Sequence, residues 1–310
     1  MGTVWAAEHL TLGVQVAIKV VDLRGDDDAD VAAARFLREA RVSARVKHRY
    51  VIEILDFGRL DDGAPYMVME RLDGESLGDR IRRQGTLPLE EALGLMAQVL
   101  TGLRAVHEQG VVHRDLTPEN VFLVRDSEGA YPKLLDFGIS RVLERSERGP
   151  VTTVAGRLIG TPEYMAPEQA RGSGDLDHRV DLYAVGVLLY EALTGALPFE
   201  AEGFGELLGH VMFEEPIPIE RRRPDLPPAV CAVVRKALTK RREERYQSAR
   251  EMREALLAAA EALGMSPAQA AREPARTRSA PPPSACVEGT AVGAPSFPPP
   301  VPRAAAGAPA

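Results

Sequence analysis

Hydrophobic and polar positions divide the chain into a strand-rich start, a helix-rich middle and a tail with neither period. In "VQVAIKVV", Val14, Val16, Ile18 and Val20 alternate with Gln15, Ala17, Lys19 and Val21, the period-two signature of a strand. "DDDADVAAARFLREARVSARVKH" predicts a helix whose acidic start suits the positive end of the helix dipole. Along it Ala32, Phe36, Glu39, Ser43 and Val46 recur at helical spacing and form one face of mostly small or apolar residues. "YVIEILDFGRL" and "APYMVMERL" predict two strands joined by a turn at Asp61, Asp62 and Gly63. After "GESLGDRI" the period becomes helical, through "PLEEALGLMAQVLTGLRAVHEQG" and "VDLYAVGVLLYEALTG". Strands first and helices afterwards predict an α+β arrangement in two lobes.

From about Gly264 onward the chain is rich in Ala and Pro with few large apolar residues, too little to offset the entropy of ordering. Residues 264–310 are expected to be disordered or extended. Pro295 to Pro298 and Pro299 to Pro302 fit a P-x-x-P docking pattern, which such a composition makes hard to avoid. Taken whole, the chain has 310 residues and is 45% hydrophobic, ordinary for a globular protein with an appended tail. A formal net charge of −7 argues against a nucleic-acid surface, because phosphate neutralisation calls for a basic excess. Two distant cysteines, Cys231 and Cys286, imply no disulfide framework, and a reducing cytoplasm is the expected location. The longest apolar run, "VGVLLYEAL", contains Glu191 and is shorter than the roughly 18 residues a membrane span requires. The first residues alternate instead of forming a basic segment followed by an apolar run, so they are not expected to be a signal peptide.

The candidate chemistry is concentrated in "VVHRDLTPENVFLV", which places His113, Arg114, Asp115 and Asn120 in a loop between a helix and a short apolar strand. "KLLDFGIS" follows with Asp136, Phe137 and Gly138, then "GTPEYMAPEQ" with Ala166, Pro167 and Glu168; "VAIK" at 16–19 precedes them all. In this order and spacing the segments match H-R-D-L-x-x-x-N, D-F-G, A-P-E and the strand lysine of protein kinases. The chain resembles bacterial eukaryotic-like (Hanks-type) serine/threonine protein kinases over roughly residues 2–263, with "DLYAVGVLLYEALTGALPF" and "RYQSAREM" extending the match. The resemblance implies a two-lobed protein kinase-like fold, a small antiparallel β-sheet lobe (1–71) plus a larger helical lobe (72–263). It also implies transfer of the ATP γ-phosphoryl group to Ser/Thr hydroxyls of protein substrates, including the chain's own activation loop. A transient dimer would serve phosphorylation in trans.

Phosphoryl transfer needs positioning and charge neutralisation more than covalent chemistry. The resemblance assigns Asp115 to orient the substrate hydroxyl and accept its proton. Asn120 and Asp136 would hold Mg2+, with Mn2+ as an alternative, by hard oxygen ligands. Ala17 would lie against the adenine and Lys19 would reach the α/β-phosphates. Glu39 is the one charge on its helical stripe, costly to leave unpaired, and a Lys19–Glu39 ion pair is expected. Met69 would be the gatekeeper, the backbones of Glu70 and Leu72 would bond the base, and Phe122 would lie beneath it. Glu168 and Arg245 would form a structural ion pair, and Asp181 would anchor the catalytic-loop backbone. Arg114 would receive a phosphate from Thr152 or Thr153 in the activation loop. Thr161 would support Asp115, as in serine/threonine kinases.

The chain departs from the family pattern twice. Thr117 stands where a lysine usually contacts the γ-phosphate; it can donate a hydrogen bond but brings no charge, for a loss of about tenfold in rate. Of the glycine-rich loop G-x-G-x-x-G-x-V, only Gly2 and Val4 remain. The pattern expects roughly 15 upstream residues carrying a strand and the loop's first glycines. The two departures leave a second reading, a catalytically weak or inactive kinase-fold scaffold.

Overall fold

The computed structural model describes residues 2–10, 13–23, 29–126, 129–136 and 162–265. Strands β1 (Gly2–His9) and β2 (Val14–Val21) form an antiparallel hairpin in which Val4 faces Lys19 and Ala6 faces Ala17. Helix α1 (Ala29–Ser43) follows, then β3 (Ile54–Arg59) and β4 (Pro65–Glu70), giving one antiparallel sheet in the order β1-β2-β4-β3. The apolar stripe of α1 is buried as its period requires: Phe36 and Ala40 pack with Val21, Ile54 and Met67 in a small core of their own.

Two boundaries differ from the sequence reading. The helix ends at Ser43 instead of running to His48, because Arg45 and Val46 donate to the carbonyls three residues back, tightening the last turn. The strand expected from Tyr50 starts only at Ile54. Val51 and Ile52 belong to the core of the helical lobe, and their backbone is ladder-bonded elsewhere: Ile52 N–H to Leu134 O at 3.0 Å and Leu134 N–H to Tyr50 O at 2.9 Å.

The larger lobe opens with a second antiparallel sheet that the period does not reveal. It comprises β5 (Gly74–Ser76), β6 (Val121–Asp126) and β7 (Gly129–Leu134), in that order across the sheet. A three-residue strand offers too few positions for alternation to be legible. Gly74 at its start is required sterically, since a Cβ there would lie 2.0 Å from the carbonyl oxygen of Leu123.

Helix α2 (Leu77–Gln84) is started by a capping box in which Ser76 Oγ accepts from the Asp79 N–H and the Asp79 carboxylate answers. Helix α3 (Leu89–Glu108) packs against a late helix and against the central one. After the short α4 (Pro167–Ala170) comes that central helix, α5 (Arg179–Thr194), buried along nearly its whole length. Its apolar residues surround it, as expected of a helix enclosed by others. Helices α6 (Phe204–Phe213), α7 (Ile219–Arg222), α8 (Pro228–Ala237) and α9 (Ala249–Glu261) complete the lobe. Close approach of α5 to the end of α8 requires Gly186, where a Cβ would meet that of Ala237 at 2.7 Å.

A charge pair lies inside this lobe. Arg245, fully buried, donates from Nη1 and Nη2 to the two carboxylate oxygens of Glu168 at 2.7 and 2.8 Å and also bonds the Thr239 and Lys240 carbonyls. Removing one partner strands the other charge in the interior. Arg245→Met is expected to lower unfolding stability by about 3–5 kcal/mol in a denaturant titration, with the Glu168→Gln/Arg245→Met double variant less affected than Arg245→Met alone.

Candidate active site

The loop between α3 and β6 is held by its backbone. Asp181, in the first turn of α5 and 1% exposed, accepts from the His113 N–H at 2.9 Å and the Arg114 N–H at 2.8 Å, and His107 Nε2 lies 2.8 Å from the same carboxylate. Burial by itself would raise the Asp181 pKa; the hydrogen bond from His107, the neighbouring imidazoles and the Arg114 N–H together hold it below the ordinary value. Gln169 adds a further tie, its Nε2 donating to Arg114 O at 2.9 Å while its Oε1 accepts from Ala166 N–H at 3.0 Å. Buried His113 lies 2.8 Å through Nε2 from Leu135 O. These ties hold Arg114 at φ 66°, a conformation that non-glycine residues adopt only when their surroundings impose it.

Asp115 therefore sits on a fixed backbone, and its carbonyl accepts from Asn120 Nδ2 at 2.7 Å. With its amide hydrogen bond made, Asn120 keeps its side-chain oxygen for a hard cation. Thr117, in the same loop, is buried, 4% exposed. Asp136, just past β7, also has a positive φ, 49°.

The sheet lobe contributes a face. Cross-strand partners share a side of a sheet, so Val4, Ala17, Lys19 and Met69 lie together: Val4 opposes Lys19, and Ala17 opposes Met69. Val4 is 58% exposed there, an apolar side chain open on the face that carries the lysine. Gly2 opposes Val21 at the far end of the same hairpin. Met69 packs against the cores of both lobes, Glu70 ends β4, and half-buried Leu72 packs against the larger core at the crossing between lobes. In β6, Phe122 lies opposite Lys133 of β7.

Lys19 joins the lobes, but with a partner other than the expected one. Its Nζ is 2.7 Å from Asp136 Oδ1. Glu39, expected to pair with Lys19, has a buried Oε2 with no hydrogen-bond partner. Burial raises its pKa to about 7, opposed only by the charges of Arg114 and Arg38. The lysine has taken the carboxylate of Asp136, and the helix carboxylate is left buried, where desolvation favours its neutral form.

The structure thus brings together Lys19, Asp136, Asp115 and Asn120, and places Glu168 and Arg245 as a pair away from them. Phe137, Gly138, Thr152, Thr153 and Thr161 lie outside the described residues. His107, Gln169 and Lys133 were not singled out by sequence reasoning. The first two carry no local pattern, whereas Lys133 is the only charged residue of β7 and could have been noticed for that. Asp136 and Asn120 supply one carboxylate and one amide oxygen, a donor set that fits a cation sharing its remaining positions with phosphates and water. Among the described residues no group of three or more His, Cys, Asp or Glu forms an all-protein metal cage.

A small antiparallel sheet lobe set on a helical lobe, with lysine, carboxylates and an asparagine meeting at their junction, defines a protein kinase fold. Residues 1–257 match the protein kinase domain family, and the chain belongs to it. It is 43% identical over 254 residues to the serine/threonine-protein kinase pkn3 of Myxococcus xanthus, covering 80% of this chain and 46% of that one. It is 37% identical to serine/threonine-protein kinase PknB of Mycolicibacterium smegmatis, covering 83% and 40%. The chain spans less than half the length of these curated relatives. The crystal structure of the Mycobacterium tuberculosis PknI kinase domain is similar at a TM-score of 0.64 and 28% identity, over 84% of this chain and 91% of that one. Membership implies use of ATP and a divalent metal ion. Among the described residues no helix is long and apolar enough to cross a membrane.

Because the folded chain holds the Glu39 proton more tightly than the unfolded chain does, its contribution to stability is complete below pH 4.5 and is lost as pH rises to about 7. In thermal unfolding between pH 4.5 and 7, Glu39→Gln is expected to remove part of the decline seen in the wild type. Equal slopes would contradict the assignment.

Proposed function

We propose that the chain is a serine/threonine protein kinase that transfers the ATP γ-phosphoryl group to protein hydroxyls. The observation that carries this reading is the convergence of Lys19, Asp136, Asp115 and Asn120 from two lobes onto one junction, on a loop whose backbone is tied by Asp181. Residues 1–71 and 72–263 act as the two lobes.

Asp115 accepts the proton of the substrate hydroxyl, and the bound backbone of its loop keeps that carboxylate in place at little reorganisation cost. Asn120 and Asp136 would hold Mg2+, or Mn2+ in its place, which when bound would neutralise phosphate charge. In the described state Lys19 and Asp136 neutralise each other. With nucleotide present, Lys19 turns to the α/β-phosphates and Glu39 becomes its partner, a change that requires Glu39 to ionise. Ala17 and Val4 cover the base from the sheet, Phe122 supports it from below, and the backbones of Glu70 and Leu72 bond its edge, with Met69 behind. Gly2, at the start of β1, is placed toward the phosphates. Thr117 offers the γ-phosphate at most a neutral hydrogen bond, so turnover is slower than with a lysine there.

Arg114, exposed beside Asp115, is the receptor for a phosphate on Thr152 or Thr153, delivered in trans by a second chain in a transient dimer. Phosphate there would compete for the positive charge that Glu39 feels. Protein substrates, a cytoplasmic location and no nucleic-acid partner complete the reading, supported by kinship to kinases and by the net charge of −7.

The test is phosphorylation of the chain itself and of a generic protein substrate with ATP and Mg2+, read by mass spectrometry. Asp115→Asn is expected to lose about 10²- to 10⁴-fold in rate while still binding ATP. Unchanged activity in that variant would refute the mechanism, and nucleotide binding with no transfer by the wild type would instead assign a kinase-fold binding module.

A further inference from the structure

Outside the groups already given roles, one charged cluster is built into the junction between the lobes. Lys133 is 7% exposed, and its Nζ lies 2.5 Å from Glu70 Oε1 and 3.4 Å from Val51 O. The same Glu70 oxygen accepts from the Glu53 N–H at 2.8 Å, and the Glu70 N–H donates to Glu53 O at 3.0 Å. Three segments therefore meet on one ammonium–carboxylate pair: the end of β4, the Val51–Glu53 approach to β3, and, through Lys133, strand β7.

Two consequences follow from elementary chemistry. A lysine this enclosed is tolerated only with its charge answered, so the pair is not the interchangeable surface kind. The N–H of Glu70 is already bonded to Glu53, which leaves its carbonyl as the backbone group of that residue able to meet an incoming donor. The side chain of the same residue is held by Lys133 Nζ and the Glu53 N–H, so both its carboxylate and its N–H are tied on either side of that carbonyl's Cα. Lys133 is also the direct cross-strand neighbour of Phe122, so its aliphatic stem shares a sheet face with that ring while its ammonium reaches Glu70, at the hinge where β4 passes into the larger lobe.

We infer that Lys133 is a positioning residue for nucleotide: through Glu70 it fixes the hinge carbonyl relative to Phe122, and so sets the affinity for the base without taking part in phosphoryl transfer. This rests on the kinase reading above, because it takes the Glu70 backbone and Phe122 as the base-binding edge and floor. Disruption of the pair should weaken nucleotide binding and leave the chemical step intact, since Asp115, Asn120, Asp136 and Lys19 are held by other bonds.

The experiment combines steady-state kinetics with equilibrium titration of N-methylanthraniloyl-ATP, which reads the site without requiring transfer. Lys133→Met is expected to raise both KM for ATP and the Kd of the analogue by about tenfold, the loss of one charge-assisted positioning contact, with kcat within about threefold of wild type. Lys133→Arg keeps the charge and should stay within about twofold of wild type on both measures, showing that the site still folds. Glu70→Gln should raise Kd by a factor similar to that of Lys133→Met, and the double variant no further, because both act through one contact. Lys133→Met binding the analogue as tightly as wild type overturns the inference and leaves the kinase reading standing. A fall in kcat and melting temperature with Kd unmoved also overturns it, marking the pair as structural only. A wild type that binds the analogue without transferring phosphate refutes the kinase reading alone, and one that does not bind refutes both.

Discussion

The carboxylate of Asp181 is the point on which the site depends. A loop that must present Asp115 and Asn120 cannot also satisfy its own backbone by regular pairing, and an N–H left bare in the interior would cost about 1–3 kcal/mol. Asp181 answers two such N–H groups and the His107 imidazole at once. Its own position comes from α5, whose enclosure by apolar neighbours leaves it no freedom to shift. The strained φ of Arg114 is a consequence: the backbone adopts it because both the N–H and the carbonyl of that residue are already bonded, to Asp181 and to Gln169.

Gln169 connects this anchor to the stability of the lobe. It sits beside Glu168 in the four-residue α4, so one residue of that turn is tied to the loop of Arg114 and Asp115 and its neighbour to the buried guanidinium of Arg245. The two bonds point to different parts of the core, and together they set α4 between them. A charge pair that contributes little net stability on its own still gives one location to a segment that has no sheet or long helix to fix it.

The junction between the lobes is organised by charge where apolar packing runs out. The core of the sheet lobe is small, and Val51 and Ile52, though they lead into its strand β3, are buried with the helical lobe and bonded to β7. Across the remaining gap stand Lys19 on Asp136 and Lys133 on Glu70. The first pair joins two groups that a bound nucleotide would separate, so it is suited to exchange; the second is enclosed and multiply bonded, so it is suited to hold. Glu39 shows the cost of the exchangeable arrangement: with the lysine elsewhere its carboxylate is driven toward the neutral form.

The amino-acid sequence by itself determined the class of fold, the succession of the longer strands and helices, and the motif residues, because periodicity and short motifs are local and survive in one dimension. The stripe of α1, the cross-strand face carrying Ala17 and Lys19, and the loop holding Asp115 and Asn120 could all be read from spacing. Only the tertiary structure decided which charges meet. Glu39 sits on the helical stripe where a partner for Lys19 was expected, yet Asp136, 117 residues along the chain from that lysine, holds it. His107, Gln169 and Lys133 acquire their parts the same way, from distant backbone and carboxylate groups that no local pattern records. Burial makes each polar group demand a partner, but the identity of that partner is set by how the lobes pack, which spacing along the chain does not encode.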